Sequence, residues 1–224
     1  ATGMQAAGFN QNGNYLTVQL KQHQNFGPSQ IRLQVVSDKI IRVQATAEQS
    51  FRNKQSLIIV PQNSKANYKV EEQGDNLIIT TAAMRAVMNE ATGQITFYDL
   101  KDNVLLNEVA QGGKTFKPFT VPDREMGVDI AKVPEAQKHG WSWRALFNSP
   151  DNEAFYGLGQ HQSEELNMKG KNEDLFQYNT KVSVPFVISN KNYGILWDSY
   201  SYCRWGNPED YLQLNRAFKL YDKD

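Results

Sequence analysis

Apolar residues recur at every second position along the first half of this chain, and that period limits what it can fold into. Leu16, Val18 and Leu20 are separated by Thr17 and Gln19. Ile31, Leu33 and Val35 alternate with Arg32 and Gln34, and Ile41, Val43 and Ala45 with Arg42 and Gln44. Such spacing sends one face of each segment into a core and the other into water, as a half-buried strand requires. Turn-forming clusters fall between the segments: Gln11-Asn12-Gly13-Asn14, Asn25-Phe26-Gly27-Pro28 and Ser37-Asp38-Lys39.

The pattern continues through Tyr68 and Val70, a tight turn at Gln73-Gly74-Asp75-Asn76, and the β-branched run from Leu77 to Thr81. Met84 to Met88 fits a strand or a short helix. A strand is expected, because Asn89-Glu90-Ala91-Thr92-Gly93 and then Ile95 to Tyr98 complete a hairpin with it. Asp99 to Asn103 turns the chain again before Val104-Leu105-Leu106. No long segment of helical period competes, and no fixed repeat occurs. Short strands with Gly, Asn and Asp turns predict an all-β fold of antiparallel sheets packed as a sandwich.

From Gly112 to Pro150 the period fades among glycines and prolines. Phe116, Phe119, Trp141, Trp143 and Phe147 make this segment too apolar for a linker, so a packed loop with short strands is expected. The 224 residues are therefore read as one domain, 1–224, long enough to bury a core without staples.

Charge and composition exclude several functions. The 24 basic residues are matched by 24 acidic ones, which leaves no basic excess to grip a nucleic acid. No apolar run reaches the length of a membrane span. Cys203 is the sole cysteine, so it has no intrachain partner and no zinc spacing, and it reads as a small buried side chain. His23, His139 and His161 form no metal-binding spacing. No metal and no cofactor are expected. A start at Ala1-Thr2-Gly3 fits a mature or an engineered start after a removed targeting segment, and a periplasmic or exported bacterial protein is the expectation.

The most informative stretch runs from Phe155 to Trp197. Gly157 and Gly159 lack the third glycine and the βαβ setting of a dinucleotide site, so they are expected to let the chain turn or approach another backbone closely. The adjacent acids Glu164-Glu165 and Glu173-Asp174 point in different directions and read as solvated charges rather than a catalytic pair. Between residues 172 and 179, Asn172, Glu173, Asp174, Gln177 and Asn179 alternate with Phe176 and Tyr178. These polar groups suit sugar hydroxyls and the aromatic faces suit a pyranose ring; an ordinary polar loop with two core anchors fits equally. In the strand that follows, Val182, Val184, Phe186 and Ile188 share a face and are expected in the core. Pro185 places that strand at an edge or at a bulge. Asn190-Lys191-Asn192 joins it to Tyr193, Ile195 and Trp197 as a hairpin. Trp205 and Tyr200, Tyr202 and Tyr211 are expected to pack between sheets.

Taken together, these motifs resemble glycoside hydrolase family 31. Phe155-Tyr156-Gly157-Leu158-Gly159-Gln160 looks like its YGLG(E/Q) motif. Gln177-Tyr178-Asn179-Thr180, Val184-Pro185-Phe186 and Tyr193-Gly194-Ile195-Leu196 follow at the family's spacing. Gly93 to Asp99 with Leu105-Leu106-Asn107-Glu108 looks like its earlier hairpin. Gln160 stands where many α-glucosidases of the family have Glu, and the surrounding residues look more like the α-xylosidase branch.

The resemblance implies a galactose-mutarotase-like β-sandwich that precedes a catalytic (β/α)8 barrel in a longer retaining α-glycosidase. The family's nucleophile segment is absent, and a barrel needs about 250 residues, so no catalytic residue is expected here. The expected partners are the barrel of the same chain and a carbohydrate substrate bearing terminal α-linked glucose or xylose. A sandwich loop of the family reaches over the barrel mouth, and the residues matching it are Asn172, Glu173, Asp174, Gln177 and Asn179. A stand-alone carbohydrate-binding module is the alternative. An aldose mutarotase, with His139 or His161 as acid, is a weaker one.

Overall fold

The computed structural model describes residues 8–21, 25–52, 55–60, 66–111, 113–120, 129–161, 165–177, 179, 181–199, 201 and 203–206. His23, Gly112, Pro122, Glu164, Tyr178, Thr180, Tyr200, Tyr202 and Tyr211 lie outside them. The strands are β1 (Phe9–Asn12), β2 (Tyr15–Gln19), β3 (Gln30–Ser37), β4 (Ile40–Thr46), β5 (Lys69–Gln73), β6 (Asn76–Thr80), β7 (Met84–Asn89), β8 (Ile95–Asp99) and β9 (Val104–Glu108). Then come β10 (Lys114–Thr120), a 3-10 turn (Ile130–Lys132), the helical turn α1 (Glu135–Lys138), β11 (His139–Ala145) and β12 (Phe147–Asn148). The last strands are β13 (Phe155–Gln160), β14 (Glu173–Leu175), β15 (Val182–Ser189), β16 (Tyr193–Leu196) and β17 (Cys203–Trp205). The fold is all-β, and each pairing with a described register is antiparallel.

The chain, read above as one domain, forms two compact units: residues 1–115 with 145–151, and residues 116–144 with 152–224. The first is a sandwich. One sheet runs β1-β2-β3-β4 and the other β12-β9-β8-β7-β6-β5. The alternating residues meet between them as expected. Leu16, Val18, Leu20, Ile31, Leu33 and Val35 from one sheet and Leu77, Ile79, Ala86, Met88 and Ile95 from the other form a single buried cluster. Burying each such aliphatic side chain is worth about 1.5–3 kcal/mol, so this period-two pattern dominates the unit's stability. Gly74, at φ +63°, makes the β5–β6 turn, and β7 is a strand as expected.

One buried ion pair closes the edge of this core. Glu108 ends β9 and Lys114 opens β10, with side chains 4% and 6% exposed. The Lys114 ammonium bonds the Glu108 carboxylate and donates to the Gly93 carbonyl at 3.1 Å. The same Glu108 oxygen accepts the Ile95 amide at 2.9 Å. Burial pushes the Glu108 carboxyl up and the Lys114 amine down, while their mutual attraction works against both shifts. Each charge is tolerable only because the other is present.

The second unit has β10 paired with β11, the three-stranded sheet β13-β15-β16, and β14 paired with β17. Its core is small: Phe155, Leu158, Met168, Leu175 and Val187, with Tyr193, Ile195, Cys203 and Trp205 packed against them. Trp205 meets Phe155 edge-on at 5.2 Å, which is the packing role expected for it.

Removing one member of the buried pair should be costly. Lys114→Met is expected to destabilise the chain by about 3–5 kcal/mol, because it strands a buried carboxylate. Adding Glu108→Gln should return about half of that, since an amide carries no charge and its oxygen still accepts from Ile95. Urea denaturation of the two variants checks both values.

Candidate functional site

The Tyr156-Gly157-Leu158-Gly159 segment sets the geometry of the second unit. Gly157 pairs with Val187 and Gly159 with Ser183, so β15 carries the extra residues of a bulge around Pro185. Pro185 has no amide hydrogen to donate, which suits a bulge on this central strand; of the two placements expected for it, the bulge is the one adopted. Its carbonyl still accepts the Trp197 amide at 2.8 Å. A Cβ on Gly157 would lie 2.5 Å from the Phe186 carbonyl oxygen, and one on Gly159 would run into the Val182 carbonyl and sit 2.8 Å from the Val184 nitrogen. These glycines permit a close backbone approach, as expected. Gly157 and Gly159 have φ of +131° and +96°, and Leu158 between them has +67°. The uncommon Leu158 conformation turns its side chain into the small core, where it is 2% exposed.

The candidate sugar residues are split among three roles. Glu173 and Asp174 are in β14, paired across to Trp205 and Arg204 of β17, rather than in a loop. Asp174 bonds the Arg204 guanidinium at 2.9 Å. Glu173 lies 3.3 Å from His161 and 3.6 Å from Lys181. Gln177 spans the loop's own ends, donating to the Lys181 carbonyl at 2.8 Å and accepting the Ser183 amide at 3.3 Å. Asn172 and Asn179 are exposed. Gln177, Ser183, Ser199 and Ser201 line an open recess of about 190 Å³ with Phe176 and Pro185. Its volume falls below the roughly 300–1,000 Å³ of typical ligand pockets.

His161 is a residue that spacing alone placed poorly. Its neighbour Glu173 is twelve positions away in sequence, in β14, and lies 3.3 Å from it. His139 instead bonds Glu135, four residues earlier, at 2.8 Å on an exposed surface. His139 and His161 thus each lie beside a separate carboxylate. Among the described residues, no group of three or more His, Cys, Asp or Glu side chains is placed to hold a metal ion. The Cys203 thiol is half-buried, and burial pushes its pKa up to about 11.

The face of β15 is the reverse of the one expected. Val182, Val184, Phe186 and Ile188 were assigned to the core, yet they are 38–50% exposed, with Tyr156 of β13 and Leu196 of β16 similarly open. The buried side carries Val187 and Ser189 instead. Ser189 can be buried because its hydroxyl donates to the Glu153 carboxylate at 2.5 Å, and Tyr193 donates to the same oxygen at 2.6 Å. Burial and that carboxylate together hold the Tyr193 phenol well above its ordinary range. Hydrophobic alternation finds the two faces of a strand but not which of them a hydrogen-bonded serine can occupy. Trp141 and Trp143 of β11 are also open, at 43% and 41%, although Trp143 stacks on Trp197 at 4.2 Å and Phe116 at 6.0 Å.

Residues 30–205 match the glycosyl hydrolase 31 N-terminal galactose mutarotase-like domain. The chain belongs to this family. It is 36% identical to a family 31 α-xylosidase from Xanthomonas citri of known crystal structure, with a TM-score of 0.76 over 89% of this chain and 20% of that one. It is 26% identical over 178 residues to an uncharacterized family 31 glucosidase of Pseudescherichia vulneris, covering 75% of this chain and 32% of that protein. An α-xylosidase of Saccharolobus solfataricus is 25% identical over 176 residues, covering 78% of this chain and 23% of the relative. The chain therefore spans about a quarter to a third of the length of these curated relatives. The all-β sandwich expected from the strand pattern and the family 31 resemblance agree with these likenesses.

In this family 31 domain the Gly159 contact is a direct test of the bulge. Gly159→Ala should cost more than about 2 kcal/mol, through backbone strain and collision with β15. The loss should appear as exposure of the Trp205 environment, read by tryptophan fluorescence during urea unfolding. Gly140→Ala, where φ is not positive and a Cβ meets nothing within 4 Å, is the control and should cost much less.

Proposed function

We propose that this chain is the non-catalytic sandwich of a retaining α-glycosidase that removes terminal α-linked xylose or glucose from oligo- or polysaccharides. The observation that carries the reading is the open apolar face of β13, β15 and β16. Tyr156, Val182, Val184, Phe186, Ile188 and Leu196 form it, and an isolated domain leaves it in water. Contiguous apolar surface of this kind marks an interface. Its occupant in this reading is the catalytic barrel of the same protein, and the family membership and the longer relatives support that choice.

The chemistry follows from this division of labour. A retaining glycosidase places two carboxyl groups about 5–5.5 Å apart, one as nucleophile and one as acid and then base. In this reading both belong to the barrel, whose site opens at the C-terminal ends of its strands and is walled by neighbouring elements. This domain contributes the segment from Asn172 to Asn179, which includes β14. Asn172 and Asn179 offer exposed amides for sugar hydroxyls, while Glu173, Asp174 and Gln177 hold the loop in shape. The name of the Xanthomonas citri relative favours xylose as the sugar.

The test compares the chain alone with the longer enzyme. The chain alone is expected to leave nitrophenyl α-xyloside and α-glucoside intact and to give no heat of binding with xyloglucan or malto-oligosaccharides. Turnover by the chain alone would falsify the assignment, and clear binding without turnover would make it a carbohydrate-binding module. In the enzyme, Asn179→Ala should raise KM for an oligosaccharide several-fold while changing kcat less than twofold, the pattern of a lost binding contact.

A further inference from the structure

Arg32 of β3 stands on the outward face of the β1–β4 sheet in the first unit, opposite Thr17 of β2 and Gln44 of β4. It is half-buried, and every group that holds it is neutral. Its Cζ lies over the Tyr15 ring at 5.2 Å and over the Phe51 ring at 4.3 Å, and its Nε donates to Gln44 Oε1 at 3.0 Å. An aromatic face attracts a cation through its quadrupole but carries no charge. Among the described residues, no carboxylate pairs with Arg32, and its two terminal nitrogens have no acceptor. Strands β1 to β4 contain no Asp or Glu. Glu48, on the segment leading to Phe51, bonds Arg52 at 2.6 Å.

A guanidinium stays charged in a protein, so this arrangement leaves a fixed positive charge without a counter-charge. Arg42 strengthens it. Arg42 sits opposite Gln34 in the register, which makes it a diagonal neighbour of Arg32, about 7–8 Å away by strand geometry. Burial lowers the Arg32 guanidinium below its ordinary value, Tyr15 opposes that shift, and the like charge of Arg42 adds to it. An anion on this face would relieve both costs.

The surroundings say which kind of anion. Gln34 and the Gln44 amide nitrogen bond no described group, so they offer neutral donors beside the guanidinium. A protein interface is built on an apolar centre, whereas the positions next to Arg32 are the hydroxyl and amides of Thr17, Gln34 and Gln44. Neutral donors in a flat array suit the hydroxyl oxygens of a sugar. We propose that Arg32 anchors a binding site for a carboxylated saccharide, its terminal nitrogens taking the carboxylate in a two-bond fork while Gln34 and Gln44 donate to neighbouring hydroxyl oxygens.

Titration of the whole nitrogen-15-labelled chain with a galacturonate trimer at low salt tests this. The Arg32 Nε–H and the Gln34 and Gln44 side-chain amides are expected to shift together and to saturate. The methyl ester of the trimer keeps the hydroxyls without the charge, and should bind at least about tenfold more weakly. Arg32→Gln should weaken binding of the acid to the same extent, and Arg32→Lys should not restore it, because an ammonium lacks the fork. Lys69→Gln removes an exposed cation from β5 in the other sheet and should bind as the wild type does. Inorganic phosphate, which cannot use the amides as a sugar does, should bind more weakly than the trimer. If Arg32→Gln does not fold, the comparison of acid with ester on the wild type still decides. No saturable shift, equal affinity for acid and ester, equal affinity for phosphate and trimer, or an equal loss in Lys69→Gln overturns the proposal. The site shares no residue with the 172–179 segment, so failure here is separate from failure of the glycosidase reading.

Discussion

The contact on which the second unit depends is the approach of β13 to β15 at Gly157 and Gly159. No side chain fits there, because a Cβ at either position would meet the β15 backbone. The requirement goes beyond space. Both glycines take positive φ, and so does Leu158 between them, so the strand turns locally in a way an ordinary sequence resists. Three consequences follow. The Leu158 side chain enters the small core, the Leu158 carbonyl is aimed at His161, and β15 must bulge around Pro185. A short motif thereby fixes one end of the candidate loop before any residue of the loop is considered.

The first unit was legible because its rules are local and binary. Leu16, Ile31, Leu77 and Met88 sit in period-two runs between glycine and asparagine turns, and they occupy the predicted core. β15 was misread under the same rule. Its apolar residues lie on one face and its small polar ones on the other, and alternation assigns the apolar face inward. One observation and one proposal account for the reversal. Glu153, distant in sequence, supplies a buried acceptor for Ser189 and Tyr193, which makes the polar face burial-competent. In the proposed reading, the apolar face belongs to a second interface outside this domain. Neither is written in the strand itself.

Buried charge follows one logic throughout. Glu108 has Lys114 and the Ile95 amide, and Glu153 has two hydroxyl donors. Each carboxylate joins segments distant in sequence or just beyond a strand's end. Desolvation makes such a group expensive when a donor is lost, so these contacts specify the pairing of strands more sharply than aliphatic packing alone. Glu173 likewise lies between two segments, 3.3 Å from His161 and 3.6 Å from Lys181.

The candidate loop shows why composition cannot separate positioning from contact. Asn, Asp, Glu and Gln are equally apt to bind a hydroxyl of a ligand or a group of their own chain. Here Asp174 goes to Arg204, Glu173 to the His161–Lys181 pair, and Gln177 to both ends of its own turn. Those bonds hold the loop at a fixed position, which is what a wall of a substrate site needs, because a mobile wall loses ordering entropy each time a ligand binds. In the proposed reading, the exposed Asn172 and Asn179 act from that support. The aromatic Phe176 beside Gln177 lines the same recess, so apolar and polar contacts are held in one short segment. In the proposed reading, a loop of this composition suits a sugar because its acids are already occupied: unpaired carboxylates would remain hydrated, and their desolvation would oppose the contact proposed for the amides.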